Sequence, residues 1–172
     1  MILDLREIDK FPAHLFLEGD PSKIAADYDG LRRVSKVTAE LDIQISGEEY
    51  FCQGQIEATV RLECSRCLKE FDTRVGNKTD FIVCCESLYA DRSGKGLDDE
   101  DYVFFRGSDL QADLTNIVRQ TIILAVGLKP LCAEDCRGLC PTCGVNLNEQ
   151  SCSCNAEKID PRWEGLKRLL KE

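Results

Sequence analysis

Cysteines dominate residues 132–154 of this 172-residue chain, and their spacing is typical of metal ligands. Six of the eleven cysteines lie in this segment, which has too few apolar side chains to form a core of its own. Thiolates around a metal ion can hold such a segment, because the binding energy of a structural zinc ion is also folding energy. A second pair, Cys64 and Cys67, lies far upstream in the sequence Cys-Ser-Arg-Cys.

The spacing of the cysteines predicts two structural zinc sites with four thiolate ligands each. Two-residue gaps, as in Cys64/Cys67 and Cys140/Cys143, let both thiolates of a tight turn point at one ion. The first predicted ligand set is Cys64, Cys67, Cys132 and Cys136. The second predicted ligand set is Cys140, Cys143, Cys152 and Cys154. The first set would tie the middle of the chain to its end, whereas the second is local and costs little loop-closure entropy.

The same cysteines admit other interpretations. A single zinc could use Cys140, Cys143 and two others, leaving the rest free. An iron–sulfur cluster is a further alternative, although the spacing matches no common ferredoxin pattern. A thioredoxin-type motif would need Cys64 and Cys67 at the start of a helix, but the alternation after Cys67 predicts a strand. Three more cysteines in strand-like stretches are interpreted as small apolar residues: Cys52, Cys84 and Cys85.

Strands are predicted on both sides of the first cysteine pair. Residues 37–45 and 56–62 alternate apolar with polar side chains, as half-buried strands do. Alternation resumes over 68–83, so we expect the Cys64–Cys67 turn at the tip of an antiparallel hairpin. Weaker patterns predict short strands at residues 2–8 and 102–105. Residues 12–30 hold two prolines and several acids and predict a loop, with a helical turn near Lys23–Asp27.

One long helix is predicted to lie across this sheet. It would begin at Ser108 or Asp109 and end before Gly127 and Pro130. Its apolar stripe is Leu110, Leu114, Ile117, Val118, Ile122 and Ala125. Roughly 17 residues at ~1.5 Å each would carry the chain about 25 Å, far enough to bring Cys132 back to the hairpin.

The predicted fold is therefore α+β: an antiparallel sheet packed by one long helix, with a cysteine-rich, zinc-binding C-terminal appendage. Residues 1–131 would form the core with its hairpin, and 132–172 the appendage. A short amphipathic helix from Pro161 is expected to end the chain. Its apolar face would hold Trp163, Leu166, Leu169 and Leu170.

Charge and composition favour a cytoplasmic protein with a basic partner. No signal peptide or long apolar run opens the chain, which disfavours a secreted disulfide scaffold and leads us to expect a cytoplasmic location. The net charge of −9 is concentrated in residues 1–31, with 7 acids and 3 bases, and 86–113, with 8 acids and 3 bases. Such surfaces repel bare phosphate backbone and would suit a basic protein, although acidity can also serve solubility alone.

No catalytic pattern stands out in the sequence. It contains no phosphate-binding loop, nucleotide fingerprint or serine elbow. The acidic run 98–101 lacks the spaced ligands of a divalent-metal site, and the single histidine, His14, has no cysteine near it and is interpreted as structural.

The cysteine motifs resemble those of the bacterial YceD family (DUF177), the large ribosomal RNA subunit accumulation proteins. The resemblance rests on Cys64-Ser-Arg-Cys-Leu, on Asp135-Cys136-Arg-Gly-Leu-Cys140-Pro-Thr-Cys143-Gly, on Cys152-Ser-Cys154 and on Asp160-Pro-Arg162. It runs from about residue 35 to the C-terminus. Some relatives lack the second cysteine set, which agrees with a self-sufficient first site.

The resemblance implies a non-enzymatic factor that supports the accumulation of large-subunit ribosomal RNA. Its partner would be a ribosomal protein or a pre-ribosomal large subunit, with RNA contact as an option. The basic residues that could serve such RNA contact are Arg61, Arg66, Lys69, Arg74 and Lys78. Two alternatives remain open: a zinc-dependent hydrolase or nuclease acting on precursor RNA, and a thiol-redox sensor that loses zinc on oxidation.

Overall fold

The computed structural model describes residues 1–24, 30–87, 89, 101–106 and 109–154, and their regular structure includes seven strands, one helix of 11 residues and two 3-10 turns, Leu5–Glu7 and Pro21–Lys23. In chain order the strands are β1 (Ile2–Asp4), β2 (Ala13–Gly19), β3 (Leu31–Ser46), β4 (Glu49–Glu63), β5 (Glu70–Cys85), β6 (Tyr102–Phe105) and β7 (Gln111–Asp113). The helix, α1, spans Thr115–Ala125. The predicted C-terminal helix and nearly all of the acidic run lie outside the described residues.

A five-stranded sheet forms the centre, with the strand order β2-β3-β4-β5-β6. Its first four strands pair antiparallel, as predicted, whereas β6 pairs parallel to β5. The β4–β5 ladder runs from Glu49↔Cys84 to Glu63↔Glu70, so the hairpin that ends at Cys64–Cys67 is confirmed. A separate two-stranded sheet pairs β1 with β7.

One face of the sheet is buried under α1 and the N-terminal residues. Along β3, Val37, Ala39, Leu41 and Ile43 alternate with exposed neighbours and are each at most 1% exposed. The predicted apolar stripe of α1 packs into the same core through Leu114, Ile117, Val118 and Ile122. Each such fully buried aliphatic side chain contributes about 1.5–3 kcal/mol relative to an exposed one. The hairpin that carries Cys64 and Cys67 therefore stands on a rigid base.

The predicted loop over residues 12–30 is wrong in its first half. Ala13–Gly19 forms β2 and pairs with β3 from Ala13↔Ile43 to Gly19↔Val37. The flanking prolines and glycines indicate a loop. The segment is nevertheless extended because it pairs with β3, and the strand preference of a segment depends on its neighbours. Of the expected helical turn near Lys23, a single 3-10 turn at Pro21–Lys23 is seen, and residues 25–29 lie outside the described part.

The predicted start of the helix at Ser108 or Asp109 is also wrong. Leu110 has a left-handed φ of 47°, and the strand β7 follows it, pairing with β1 through Leu3↔Ala112. The backbone of Leu114 is held as well, since its N–H donates to the Met1 carbonyl at 2.8 Å. This tertiary pairing removes the first turns, so α1 has 11 residues and is about 16 Å long.

The chain nevertheless returns to the hairpin tip after α1. Over residues 127–154, the last stretch that the structure describes, the chain runs on without helix, and the Ser65 N–H donates to the Pro130 carbonyl at 2.9 Å. Among the residues described here, no helix combines the length and apolar character needed to cross a bilayer.

The β2–β3 register places His14 between two carboxylates, which we expect to raise the pKa of its imidazole above the usual ~6.5. Its Nδ1 lies 2.9 Å from Asp42 Oδ1, and its Nε2 lies 3.2 Å from Glu40 Oε1. The hydrogen bond to Asp42 is the main cause of the raised pKa. These contacts stabilise the fold below the unfolded-state pKa, and the stabilisation disappears as pH rises through the higher folded-state pKa. NMR titration of this single histidine measures the value directly.

The matched variants are Asp42→Asn and Asp9→Asn. The first should lower the pKa of His14, because it replaces a carboxylate by a neutral amide, whereas exposed Asp9 should leave it unchanged. An unaltered pKa in Asp42→Asn would contradict the β2–β3 register.

Candidate metal centres

The first cysteine pair lies in a tight turn at the tip of the β4–β5 hairpin. The turn is closed by backbone hydrogen bonds from the Cys64 N–H to the Lys69 carbonyl and from the Leu68 N–H to the Cys64 carbonyl, both 2.9 Å long. Leu68 takes a left-handed φ of 58°, which turns the chain into β5. Both thiols therefore point to one side of the tip, as a shared ion would require.

Cys132 and Cys136 bring their thiols to the same place, and we call these four residues the hairpin cluster. The Cys64 and Cys136 Sγ atoms are 3.8 Å apart, and those of Cys67 and Cys132 are 3.6 Å apart. All four sulfurs lie within 4.8 Å of one another. Four thiolates at ~2.3 Å from a zinc ion would lie ~3.8 Å from each other, so the spacing fits one tetrahedral ion.

The hairpin cluster is well shielded from solvent. Cys64 is 0% exposed, Cys136 4% and Cys67 6%, while Cys132 is half-buried. Apolar neighbours pack around these thiols: Phe71, Leu131 and Leu139. Such surroundings suit a closed structural site, because they keep water away from the sulfurs.

The remaining four cysteines form a second group, which we call the distal cluster. Its members are Cys140, Cys143, Cys152 and Cys154, and their sulfurs also lie within 4.8 Å of one another. The Gly144 N–H donates to the Cys140 carbonyl at 2.9 Å and closes a turn like that of the hairpin tip. Cys140 is buried, but Cys143 is exposed, so this cluster is the more accessible one.

One thiol in each cluster has a lowered pKa. Burial would raise the pKa of Cys64, but backbone N–H groups of Cys132, Cys67 and Arg66 outweigh it and lower the value to about 6. Hydrogen bonds from the backbone of Cys143 and Thr142 likewise lower that of Cys140 to about 6.

In each cluster another thiol is harder to ionise than a free cysteine. Burial and the neighbouring thiols raise the pKa of Cys132 to about 12, and the contact with Cys143 raises that of Cys154 to about 12. Each cluster thus forms one thiolate readily and resists further negative charge, which a divalent cation would offset. Metal binding by the eight thiols stays a prediction of the sequence, and the donor set and its spacing support it.

Arg66 connects the hairpin tip to the cysteine-rich segment. Its guanidinium donates to the Cys136 carbonyl at 2.9 Å, and its own carbonyl accepts from the Leu139 N–H at 3.2 Å. Gly138, with a φ of 75°, lies against it so closely that a Cβ would be 3.0 Å from the Arg66 carbonyl oxygen. From the sequence, Arg66 is expected only as a residue for RNA contact, because no local pattern indicates this structural role.

Three of the five basic residues considered for RNA contact have partners within the chain. Arg61 donates two hydrogen bonds to the Asp72 carboxylate at 2.9 and 2.8 Å. Lys69 Nζ lies 3.3 Å from Glu149 Oε1, and Arg66 binds carbonyl groups as described. The carboxylates of Asp72 and Glu149 reduce the charge that the hairpin offers to a phosphate backbone, and the carbonyl contacts of Arg66 restrict its guanidinium.

The other three cysteines lie away from both clusters. Cys52 and Cys84 are buried, and burial raises the pKa of the Cys52 thiol to about 12. Cys85 is half-buried, with its Sγ 3.2 Å from Ser87 Oγ. The interpretation of Cys52 and Cys84 as small apolar residues is therefore confirmed.

Two bacterial relatives match most of the length of the chain. The uncharacterized protein Rv2926c of Mycobacterium tuberculosis is 30% identical over 178 residues, which cover 99% of this chain and 81% of that protein. YlbN of Bacillus subtilis is 24% identical over 143 residues, or 83% of this chain and 78% of the relative. No match was found among solved structures.

A plant relative carries a descriptive name. The large ribosomal RNA subunit accumulation protein YCED homolog 1, chloroplastic, of Zea mays is 36% identical over 64 residues, which are 37% of this chain and 22% of that protein. The model of the family described as large ribosomal RNA subunit accumulation protein YceD matches residues 52–170, a stretch that includes both cysteine clusters. Because this match spans more than half of its length, the chain belongs to the YceD family.

Proposed function

We propose that this protein is a non-enzymatic factor of large ribosomal subunit biogenesis that supports the accumulation of large-subunit ribosomal RNA. The observation that carries the proposal is the family match over residues 52–170, since the description of the family names this role and no reaction. The name of the Zea mays relative agrees with it. Ribosome assembly would place the protein in the cytoplasm.

We further propose that each cysteine cluster holds one structural zinc ion. Four thiolates complete the tetrahedron around zinc, whereas a catalytic zinc keeps one position for water or substrate. The ion of the hairpin cluster would fasten residues 132–136 to the tip of β4 and β5. The core of residues 1–131 and the cysteine-rich residues 132–154 would then move as one unit, which gives a partner a fixed surface.

The surface that we assign to the partner is the acidic outer face of β2 and β3. Phe16 is 62% exposed and lies directly opposite Glu40, with Asp42 and Glu18 nearby on the same pair of strands. The side chains of these acids are each more than 60% exposed. The three carboxylates of the patch still outnumber its cations when His14 is protonated and Lys36, whose Nζ lies 3.9 Å from Glu18 Oε1, is included. An apolar ring among carboxylates suits a cationic ribosomal protein better than bare RNA.

The test is depletion of the protein in its own host, followed by measurement of the ratio of large-subunit to small-subunit ribosomal RNA. We expect this ratio to fall, because the large-subunit RNA no longer accumulates, and we expect a plasmid copy of the gene to restore it. A normal ratio after depletion, with unchanged large subunits in sedimentation profiles, would contradict the proposal.

The same rescue distinguishes the two kinds of partner. Glu40→Lys/Asp42→Lys reverses the acidic face and should not restore the ratio, although both positions are exposed and folding should persist. Arg74→Glu/Lys78→Glu reverses two exposed bases on β5 and should restore it. The opposite pattern would assign the contact to RNA. Cleavage of precursor RNA by the purified protein would instead point to an enzyme.

A further inference from the structure

We propose that Asn148 couples the two cysteine clusters, so that metal loading of the distal cluster strengthens metal binding by the hairpin cluster. The inference rests on the zinc sites of the proposed function. Asn148 lies in the chain between Cys143 and Cys152, which both belong to the distal cluster, yet its side chain contacts a thiol of the hairpin cluster.

The side-chain amide of Asn148 makes three hydrogen bonds at this junction. Its Nδ2 donates to Cys136 Sγ at 3.4 Å and to Asn146 Oδ1 at 2.8 Å. Its Oδ1 accepts from the Arg137 N–H at 2.8 Å. In the opposite orientation of the amide, its oxygen would face Cys136 Sγ and Asn146 Oδ1, and its NH₂ group would face the Arg137 N–H. The hydrogen-bond network therefore determines that the thiol receives an N–H.

The position of Asn148 depends on the segment that the distal cluster closes. The Asn148 N–H donates to Asn146 Oδ1 at 3.0 Å, and the Gln150 N–H donates to the Asn146 carbonyl at 3.0 Å. An isolated β-bridge between Leu139 and Asn146 connects this segment to the turn that contains Cys140. An ion that binds cysteines before and after Asn148 would therefore limit where its amide can lie.

An N–H group aimed at a metal-bound thiolate stabilises the ligand in its charged form. Outer contacts of this kind typically change metal affinity by about 10–100-fold when they are removed. Cys136 is 4% exposed, so water is a poor substitute for the amide at this sulfur. Because coupling between two binding sites is reciprocal, the hairpin cluster should strengthen the distal cluster by the same factor.

Because of a cleft beside the hairpin cluster, we expect the rate of metal removal to depend on the same segment, which carries Asn148. Its volume is about 480 Å³, and its lining includes Cys67, Cys132, Asn146 and Asn148. The half-buried Cys132 is the thiol of the cluster that a chelator would reach first from this cleft. Loosening that segment should therefore also speed removal of the ion.

The experiment measures zinc affinity by chelator competition on the full chain, with thiolate absorption of the cobalt-loaded protein as a second readout. Asn148→Ala should weaken the hairpin cluster by about 10-fold or more. Asn148→Asp should weaken it further, because it turns a carboxylate oxygen towards a thiolate. Gln150→Ala is the matched control in the same turn and should change nothing. Circular dichroism of the loaded variants checks that each is folded.

A thermodynamic cycle then isolates the coupling. Removing the distal cluster with Cys143→Ser/Cys152→Ser should weaken the hairpin cluster about as much as Asn148→Ala does. Adding Asn148→Ala to the distal substitutions should weaken zinc binding by the hairpin cluster little further. Equal weakening by the distal substitutions with and without Asn148 would overturn the coupling, as would equal affinities of Asn148→Ala and Gln150→Ala. A wild-type chain that binds no metal would overturn the zinc sites themselves, while the rescue of ribosomal RNA tests the role in biogenesis independently.

Discussion

The double substitution Cys64→Ser/Cys67→Ser should lower the zinc content from two ions per chain to one. It removes two of the four thiols of the hairpin cluster, and the two that remain cannot complete a tetrahedral site. Elemental analysis of protein purified without added zinc gives the count. Since the binding energy of a structural site is on the order of 10 kcal/mol of folding energy, this is the largest effect that we expect of any change to the chain.

The loss of this ion should destabilise mainly the cysteine-rich segment. We expect faster amide hydrogen exchange over residues 132–154, while β3, β4 and β5 keep their protection through their own core. Cys85→Ser is the control, because this half-buried cysteine lies outside both clusters and should leave two zinc ions. One zinc in wild type and variant alike would leave only the distal site. Iron, or no metal, would refute the zinc interpretation.

The parts of the fold that could be predicted are those in which short-range sequence pattern and tertiary packing agree. The alternation of Val37, Leu41 and Ile43 with polar neighbours gives the buried face of β3, because side chains of a strand point alternately to the two sides of a sheet. The grouping of the thiols was also accessible from spacing. A two-residue gap lets both thiols of a pair such as Cys140 and Cys143 point at one ion, and loop entropy favours nearby partners for the distal cluster.

The errors arise where a distant segment decides the local structure. The pattern from Leu110 to Leu114 suits a helix, yet pairing of Gln111–Asp113 with the N-terminal strand makes it extended. Within residues 12–30 the alternation of Ala13, Leu15 and Leu17 is a short strand signal, but the pairing of Ala13–Gly19 with the edge of β3 depends on a distant segment. Asn148 could be noticed from sequence only as a turn former, because its contact with Cys136 depends on how two cysteine turns pack against each other.

Gly54 lies on β4 directly against the backbone of β3, and Gly54→Ala should be strongly destabilising. A Cβ at this position would overlap the Glu40 carbonyl oxygen and lie 2.9 Å from Leu41 Cα. The obstacle is backbone on a central strand, so no side chain can move aside to relieve it. We expect the free energy of unfolding to fall by about 3 kcal/mol, at the upper end of the usual cost of overpacking. Chemical denaturation of the metal-loaded protein measures it.

Gly127→Ala is the matched control for this prediction, because no atom lies within 4 Å of the Cβ it would add, and its free energy of unfolding should stay close to that of wild type. Since β4 carries the hairpin cluster at its end, Gly54→Ala should also loosen zinc binding at Cys64, whereas Gly127→Ala should not. Equal stabilities of the two variants would mean that β3 and β4 are further apart at Gly54 than described. The register Leu41↔Gly54, and with it the support of the hairpin tip, would then be in error.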